Sequence, residues 1–348
     1  MSEKGTQKTR IAYMELVRII ACFFVIVNHT NSGIFMSQTP GGKTWWVSLC
    51  YFFMCKTAVP LFLMASGAVL LGRVDENEKH LKRILRIVAD LVLFSLLMYL
   101  YGTFRSGGEV DLLEFFKRII QQNVSNAYWY LYLYLGILLM LPLFQRLSVN
   151  MGRRAYRYLI FLSVVFLGAM PIVTHYFPGA FVHPLFPETF LPVYAGLLFL
   201  GYYLAHEIEL KHSYAAVSAV LFFAVLLFEV YATYMEYQKN PEDYLFYDNR
   251  TLLTVTVTAA SLFYLARWFE SVVHTEWFWR AVVSLGGCTF GVYLLSDLFI
   301  EIYAMGYLTL MARMHVLLAV VVYELLVFFT CAAITAICRK IPYIKRLF

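Results

Sequence analysis

The chain has 348 residues, of which 61% are hydrophobic and only 14% charged, with a net charge of +6 and a mean hydropathy of +0.67. Soluble domains carry about 25% charged residues, so a soluble globular protein is excluded and a polytopic membrane protein is implied. The basic residues cluster in short segments between apolar runs, which marks topology and excludes a nucleic-acid role.

A spanning helix needs about 20 apolar residues. Ten stretches meet or approach that measure, near residues 11–34, 45–71, 87–104, 128–148, 158–176, 189–205, 213–231, 250–270, 281–302 and 314–337. With the N-terminus inside, the inner loops collect most of the lysine and arginine. They hold Lys4, Lys8 and Arg10, then the run from Arg73 to Arg86, then Arg146 to Arg157, and finally Arg339, Lys340, Lys345 and Arg346. The bias predicts both termini in the cytoplasm. The expected fold is all-α, a membrane helix bundle forming one transmembrane domain over 1–348. The first apolar run lacks a small-residue cleavage site after it and reads as a retained span. Cys22, Cys50, Cys55, Cys288, Cys331 and Cys338 lie in or beside spans with no metal spacing, so neither a metal nor a disulfide framework is expected.

The first span carries Glu15, Arg18 and His29. An arginine at the centre of a spanning helix costs roughly 2.5–3.5 kcal/mol on insertion scales, so such a charge faces protein or water and has a task. Arg18 and His29 are eleven positions apart, which puts them on one face and about 16 Å apart along the axis. Glu15, three residues before Arg18, is its natural partner. A structural ion pair with a buried histidine is the plain alternative.

The inner loop after the second span is the most basic, and Lys82-Arg83-Ile84-Leu85-Arg86 opens the third. These side chains serve either as topology anchors or as a phosphate clamp, since guanidinium forks match phosphate oxygens. Asp90, one turn on, is the internal partner for Arg86. Residues 109–122 read as an amphipathic helix lying at the interface, with Leu112, Leu113, Phe116, Ile119 and Ile120 on its apolar side. The aromatic run Tyr128-Trp129-Tyr130 reads as an interfacial belt or as the wall of an acceptor pocket. The outer connection 175–188 holds His175, His183 and three prolines and reads as an irregular loop. The loop after the seventh span mixes Glu236, Glu242, Asp243 and Asp248 with Tyr234, Tyr237, Tyr244, Phe246 and Tyr247, a surface suited to a polar, sugar-like acceptor or to an interfacial belt. Gly286-Gly287 ahead of the ninth span offers backbone N–H groups to an anion. Further along that span Ser296, Asp297 and Glu301, with Glu324 from the tenth, are read as lining a polar cavity, because paired carboxylates in a span are costly otherwise.

Taken together these segments resemble the membrane acyltransferase-3 family. The resemblance rests on Glu15-Leu16-Val17-Arg18 through His29, on Val59-Pro60-Leu61-Phe62-Leu63-Met64-Ala65-Ser66-Gly67, and on the basic opening from Lys82 to Arg86. It extends to Tyr128-Trp129-Tyr130-Leu131 through Pro142, to Gly196 through Tyr203, and to Phe290-Gly291-Val292-Tyr293-Leu294. It covers essentially the whole chain and is nearest to compact members without a soluble domain. Two departures stand out. Family members often carry a histidine just before the tryptophan, where this chain has Ala127 and Tyr128, and another at Ser296.

The resemblance implies an integral acyltransferase of the cell (inner) membrane. It would move an acyl group, read as acetyl, from cytoplasmic acetyl-CoA to a hydroxyl of a bacterial cell-envelope glycan or related acceptor. His29, Arg18 and Glu15 are then the catalytic candidates. Arg18, Lys82, Arg83 and Arg86 are the CoA-binding candidates, and Trp129, Tyr293, Ser296, Asp297 and Glu301 the acceptor side. The expected partners are the acyl-CoA donor, a lipid-linked or surface glycan and membrane lipids, with a homo-oligomer left open. Two other readings stand beside it. Buried charges also suit a proton-coupled transporter or flippase of a small polar solute, and the missing histidines suit a catalytically silent family member acting as a binding module.

Overall fold

A computed structural model describes residues 11–30, 32–177, 193–249 and 251–342. Lys4, Lys8, Arg10, His183, Arg250, Lys345 and Arg346 lie outside them, as do the three prolines of the 175–188 loop. Every regular element among the described residues is helical. Lipid offers the backbone no hydrogen-bond partner, so apolar chain of this kind must satisfy itself as helix.

Seven helical stretches among the described residues are long and apolar enough to cross a membrane. They are α1 (Ala12–Thr30) with short α2 (Ser32–Ser37), α3 (Lys43–Lys56) continued by α4 (Ala58–Leu70), α5 (Asn77–Ser106), and α7 (Trp129–Asn150). The other three are α11 (His212–Lys239), α14 (Thr289–Met311) and α15 (Val316–Cys338). Between α5 and α7 lies α6 (Leu112–Gln121), capped by Asp111, whose carboxylate accepts from the N–H groups of Leu113 and Glu114. It buries Phe115 and Ile119 and leaves Leu112, Leu113, Phe116 and Ile120 exposed, as an interfacial helix requires.

Of the three remaining expected spans, the fifth and sixth depart from simple helices. The fifth breaks into α8 (Arg153–Leu162), a π-helical segment Ser163–Ala169, and α9 (Met170–Tyr176). Neighbouring backbone presses on that segment from two sides. A Cβ on Gly196 would fall 2.7 Å from Ser163, and one on Gly168 would fall 3.2 Å from the Leu253 nitrogen. The sixth resolves as α10 (Val193–Tyr202) with a π segment Tyr203–Glu207 at its end. The eighth is α12 (Leu253–Val272), whose two charges serve as caps. Arg267 donates to the carbonyls of Leu204 and Ile208, and Glu270 accepts from the N–H of Ala12 at the start of α1. The ninth span divides ahead of α14, where α13 (Glu276–Gly286) ends in the glycine pair.

Helix α1 is the hub, touching α3, α4, α12, α13, α14 and α15. The helices around it approach closely because small residues let them. Gly67 of α4 sits where a Cβ would be 1.9 Å from the Leu198 carbonyl oxygen of α10, and Gly201 of α10 where one would be 2.1 Å from that of Met64. Reciprocal glycine contact of this kind is how membrane helices pack without a hydrophobic driving force between them.

Candidate active site

Two cavities open beside α1. The larger, about 370 Å³, is lined by Arg18 and Glu15 of α1, Arg83 and Arg86 of α5, Ser66 of α4 and Thr289 of α14, among others. Its size falls in the range of small-molecule sites. Its lining carries three guanidinium groups and one carboxylate. Arg18 donates to Glu15 at 3.1 Å, as their spacing predicts. Arg83 donates to Asp75 at 3.0 Å, and Arg86 stands 3.8 Å from Asp90, the partner expected for it. Asp90 is fully buried, and neither of its oxygens accepts a hydrogen bond among the described residues.

Asp75 ties this rim together from the loop before α5. It pairs with Arg73 and Arg83 and accepts from Gln145 of α7. Burial raises its carboxyl, but the hydrogen bonds from Gln145 and Arg83 and the charges of Arg73 and Arg83 outweigh it and hold the group below its ordinary value.

Lys82 is not part of the chamber. Its side chain is 72% exposed and pairs with Glu78 on the outer surface of α5, because one residue along a helix turns a side chain by about 100°. Of the four cations expected there, Arg18, Arg83 and Arg86 line the chamber. The glycine pair also differs from expectation. The N–H of Gly287 bonds to Val283 and that of Cys288 to Leu285, closing a turn. Neither amide is offered to an anion. Gly286 is small for another reason, since a Cβ there would fall 2.5 Å from Glu15.

The smaller cavity, about 20 Å³, is lined by His29 and Asn28 of α1, Lys56 of α3, Val59 of α4 and Trp129 of α7, among others. It holds one group of water size. Lys56 is 5% exposed. Its ammonium is paired with Asp248, in the connection between α11 and α12, and lies 3.9 Å over the Phe52 ring. Sequence reasoning missed this residue as a site component. A lysine inside an apolar span was the available signal.

Arg18 and His29 thus look into the interior from one face, but not into one open tunnel. Phe62 of α4, Tyr130 of α7 and Tyr293 of α14 line both cavities and stand between them. Their ring centroids are 5.7 to 6.4 Å apart, within the contact range of aromatic pairs. The hydroxyl of Tyr293 donates to the Ala127 carbonyl at 2.5 Å.

Trp129 and Tyr293 of the expected acceptor side do line the His29 cavity. The other three do not. Ser296 donates to the Tyr293 carbonyl, Asp297 accepts from Ser125, and Glu301 is exposed beside Arg105 at 3.5 Å. Glu324 accepts from Thr30 and Tyr51, each at 2.5 Å. Each of these carboxylates has its own partner among the described residues, and none lines either cavity. Tyr128 donates to the Leu294 carbonyl and is a packing residue here. Among the described outer residues, His175 stacks on Phe246 and reaches Glu236 at 3.4 Å, away from both cavities.

Against protein-family models, residues 11–339 match the one described as an acyltransferase domain. No curated protein and no solved structure matches the chain.

Proposed function

The chain belongs to the membrane acyltransferase-3 family, and on that premise we propose that it transfers an acetyl group from cytoplasmic acetyl-CoA to a hydroxyl of a cell-envelope glycan. The observation that carries this reading is the pairing, on one helix, of a chamber holding three guanidiniums with a small compartment holding an imidazole.

The phosphates of CoA dock against Arg18, Arg83 and Arg86, whose planar forks suit phosphate oxygens. Glu15 orients Arg18. The thioester arm extends along α1 toward His29. An acceptor hydroxyl enters from the opposite end of the bundle. His29 takes its proton as general base, the role imidazole fills most often in proton transfer. The acceptor oxygen attacks the thioester carbonyl carbon, the C–S bond breaks, and the departing thiolate takes the proton back from the imidazolium. The products are an acyl ester and free CoA. Lys56 donates to the oxyanion that develops on the carbonyl, where a fixed donor in a water-poor site is most effective. Asp248, its ion-pair partner, keeps that ammonium aimed. The charge bias of the loops fits a protein of the inner membrane with its basic end in the cytoplasm.

CoA binding tests the donor half. The purified chain is expected to melt at higher temperature with CoA, and Arg83→Ala with Arg86→Ala to lose most of that increase. A wild-type protein indifferent to CoA would favour a solute transporter instead.

A further inference from the structure

We propose that Phe62, Tyr130 and Tyr293 select the acyl group, passing a two-carbon acyl to His29 and holding back longer ones; this rests on the acyltransferase reading above. Three observations lead to it. The rings line both cavities, so an acyl group moving from the guanidinium side toward His29 passes them. The compartment behind the wall is about 20 Å³, room for a group the size of a water or a methyl, whereas the chamber before it is about 370 Å³. The walls of the small compartment at Val25, Ala58 and Val59 are apolar and buried, which suits a methyl and gives no space to a propyl tail.

The rings differ in freedom. Tyr293 is tethered through its hydroxyl to Ala127. Tyr130 is stacked on Tyr134 at 5.9 Å. Phe62 has no polar atom to anchor it and meets both other rings. It is the ring that turns aside, and its size sets what passes. Discrimination of a single methylene by an apolar pocket is about 10–200-fold, enough to separate acetyl from butyryl.

The test uses membrane vesicles carrying the full chain and a series of acetyl-, propionyl-, butyryl- and hexanoyl-CoA labelled in the acyl group. Label entering the envelope material of those vesicles is counted. The wild type is expected to fall at least tenfold from acetyl to butyryl. Phe62→Ala, with Phe62→Leu as a milder second variant, is expected to bring butyryl within about threefold of acetyl. Phe62→Trp is expected to stop incorporation of every acyl group while CoA still raises the melting temperature. An unchanged chain-length profile in both smaller variants, or wild-type acetyl incorporation by Phe62→Trp, would overturn the selector and leave the enzyme standing. Absence of both CoA stabilisation and incorporation in the wild type would overturn the enzyme reading and the selector with it.

Discussion

Lys56 and Asp248 form an asymmetric pair. The lysine is buried and the aspartate side chain is 38% exposed. Removing the partner of a buried charge costs about 3–5 kcal/mol, because the remaining charge is stranded. Asp248→Asn strands Lys56 inside the bundle and is expected to cost an amount in that range. Lys56→Met leaves a carboxylate that water can reach, and costs less. Lys56→Met is also expected to keep CoA stabilisation while losing acyl transfer at least tenfold, if its ammonium faces the developing oxyanion. Melting temperatures of the two variants check the first point; equal drops would mean that the burial asymmetry does not govern the pair. The pair was not readable from sequence because its two members are 192 positions apart and neither spacing nor periodicity connects them. Glu15 with Arg18 and Arg86 with Asp90 were readable, since helical neighbours three and four apart meet by geometry alone.

The crossing of α4 and α10 makes a sharper prediction than any single contact. Gly67→Ala and Gly201→Ala each drive a methyl into backbone of the opposite helix, which cannot swing away as a side chain can. Overpacking costs about 1–3 kcal/mol, and both variants are expected at the upper end, with lowered transfer because α4 carries Phe62 and Ser66. Gly136→Ala in α7 meets nothing within 4 Å and is expected to be neutral or to stabilise by up to about 1 kcal/mol, as glycine is costly in a helix interior. Thermal unfolding of the three in one detergent compares them directly. The loop joining α4 to α5 gives a pH prediction. The Asp75 carboxyl is lowered in the folded protein, so its contribution is complete above its ordinary value of 3.8 and is lost as the pH falls below that, through the folded value. Asp75→Asn is expected to be less stable than wild type at neutral pH and to show a smaller loss on acidification; a parallel loss in both proteins would deny Asp75 that role. At this scale the sequence revealed the helices and the amphipathic α6 by their periodicity. The fifth span is helical throughout, and hydropathy cannot register the π segment Ser163–Ala169 inside it, beside which Gly196 and Leu253 approach closely.

Across the whole molecule, one helix organises two chambers of opposite character. Helix α1 packs against helices from both halves of the chain and presents Arg18 to the large chamber and His29 to the small one. The eleven-residue interval made their shared face legible, yet not the aromatic wall between them, which is assembled from α4, α7 and α14. Nor did spacing disclose that Asp297, Glu301 and Glu324 go to separate partners, because a four-residue interval fixes a helix face and not what packs against it. The two-chamber arrangement implies that donor binding and acyl transfer are separable. The most direct measurement is label transfer from acetyl-CoA into envelope material by membranes carrying wild type or His29→Ala, with the CoA-induced rise in melting temperature taken on the same proteins. His29→Ala is expected to keep the full rise and to transfer no label. Transfer by that variant at the wild-type rate would contradict the assignment of the small chamber as the place where the acyl group changes hands.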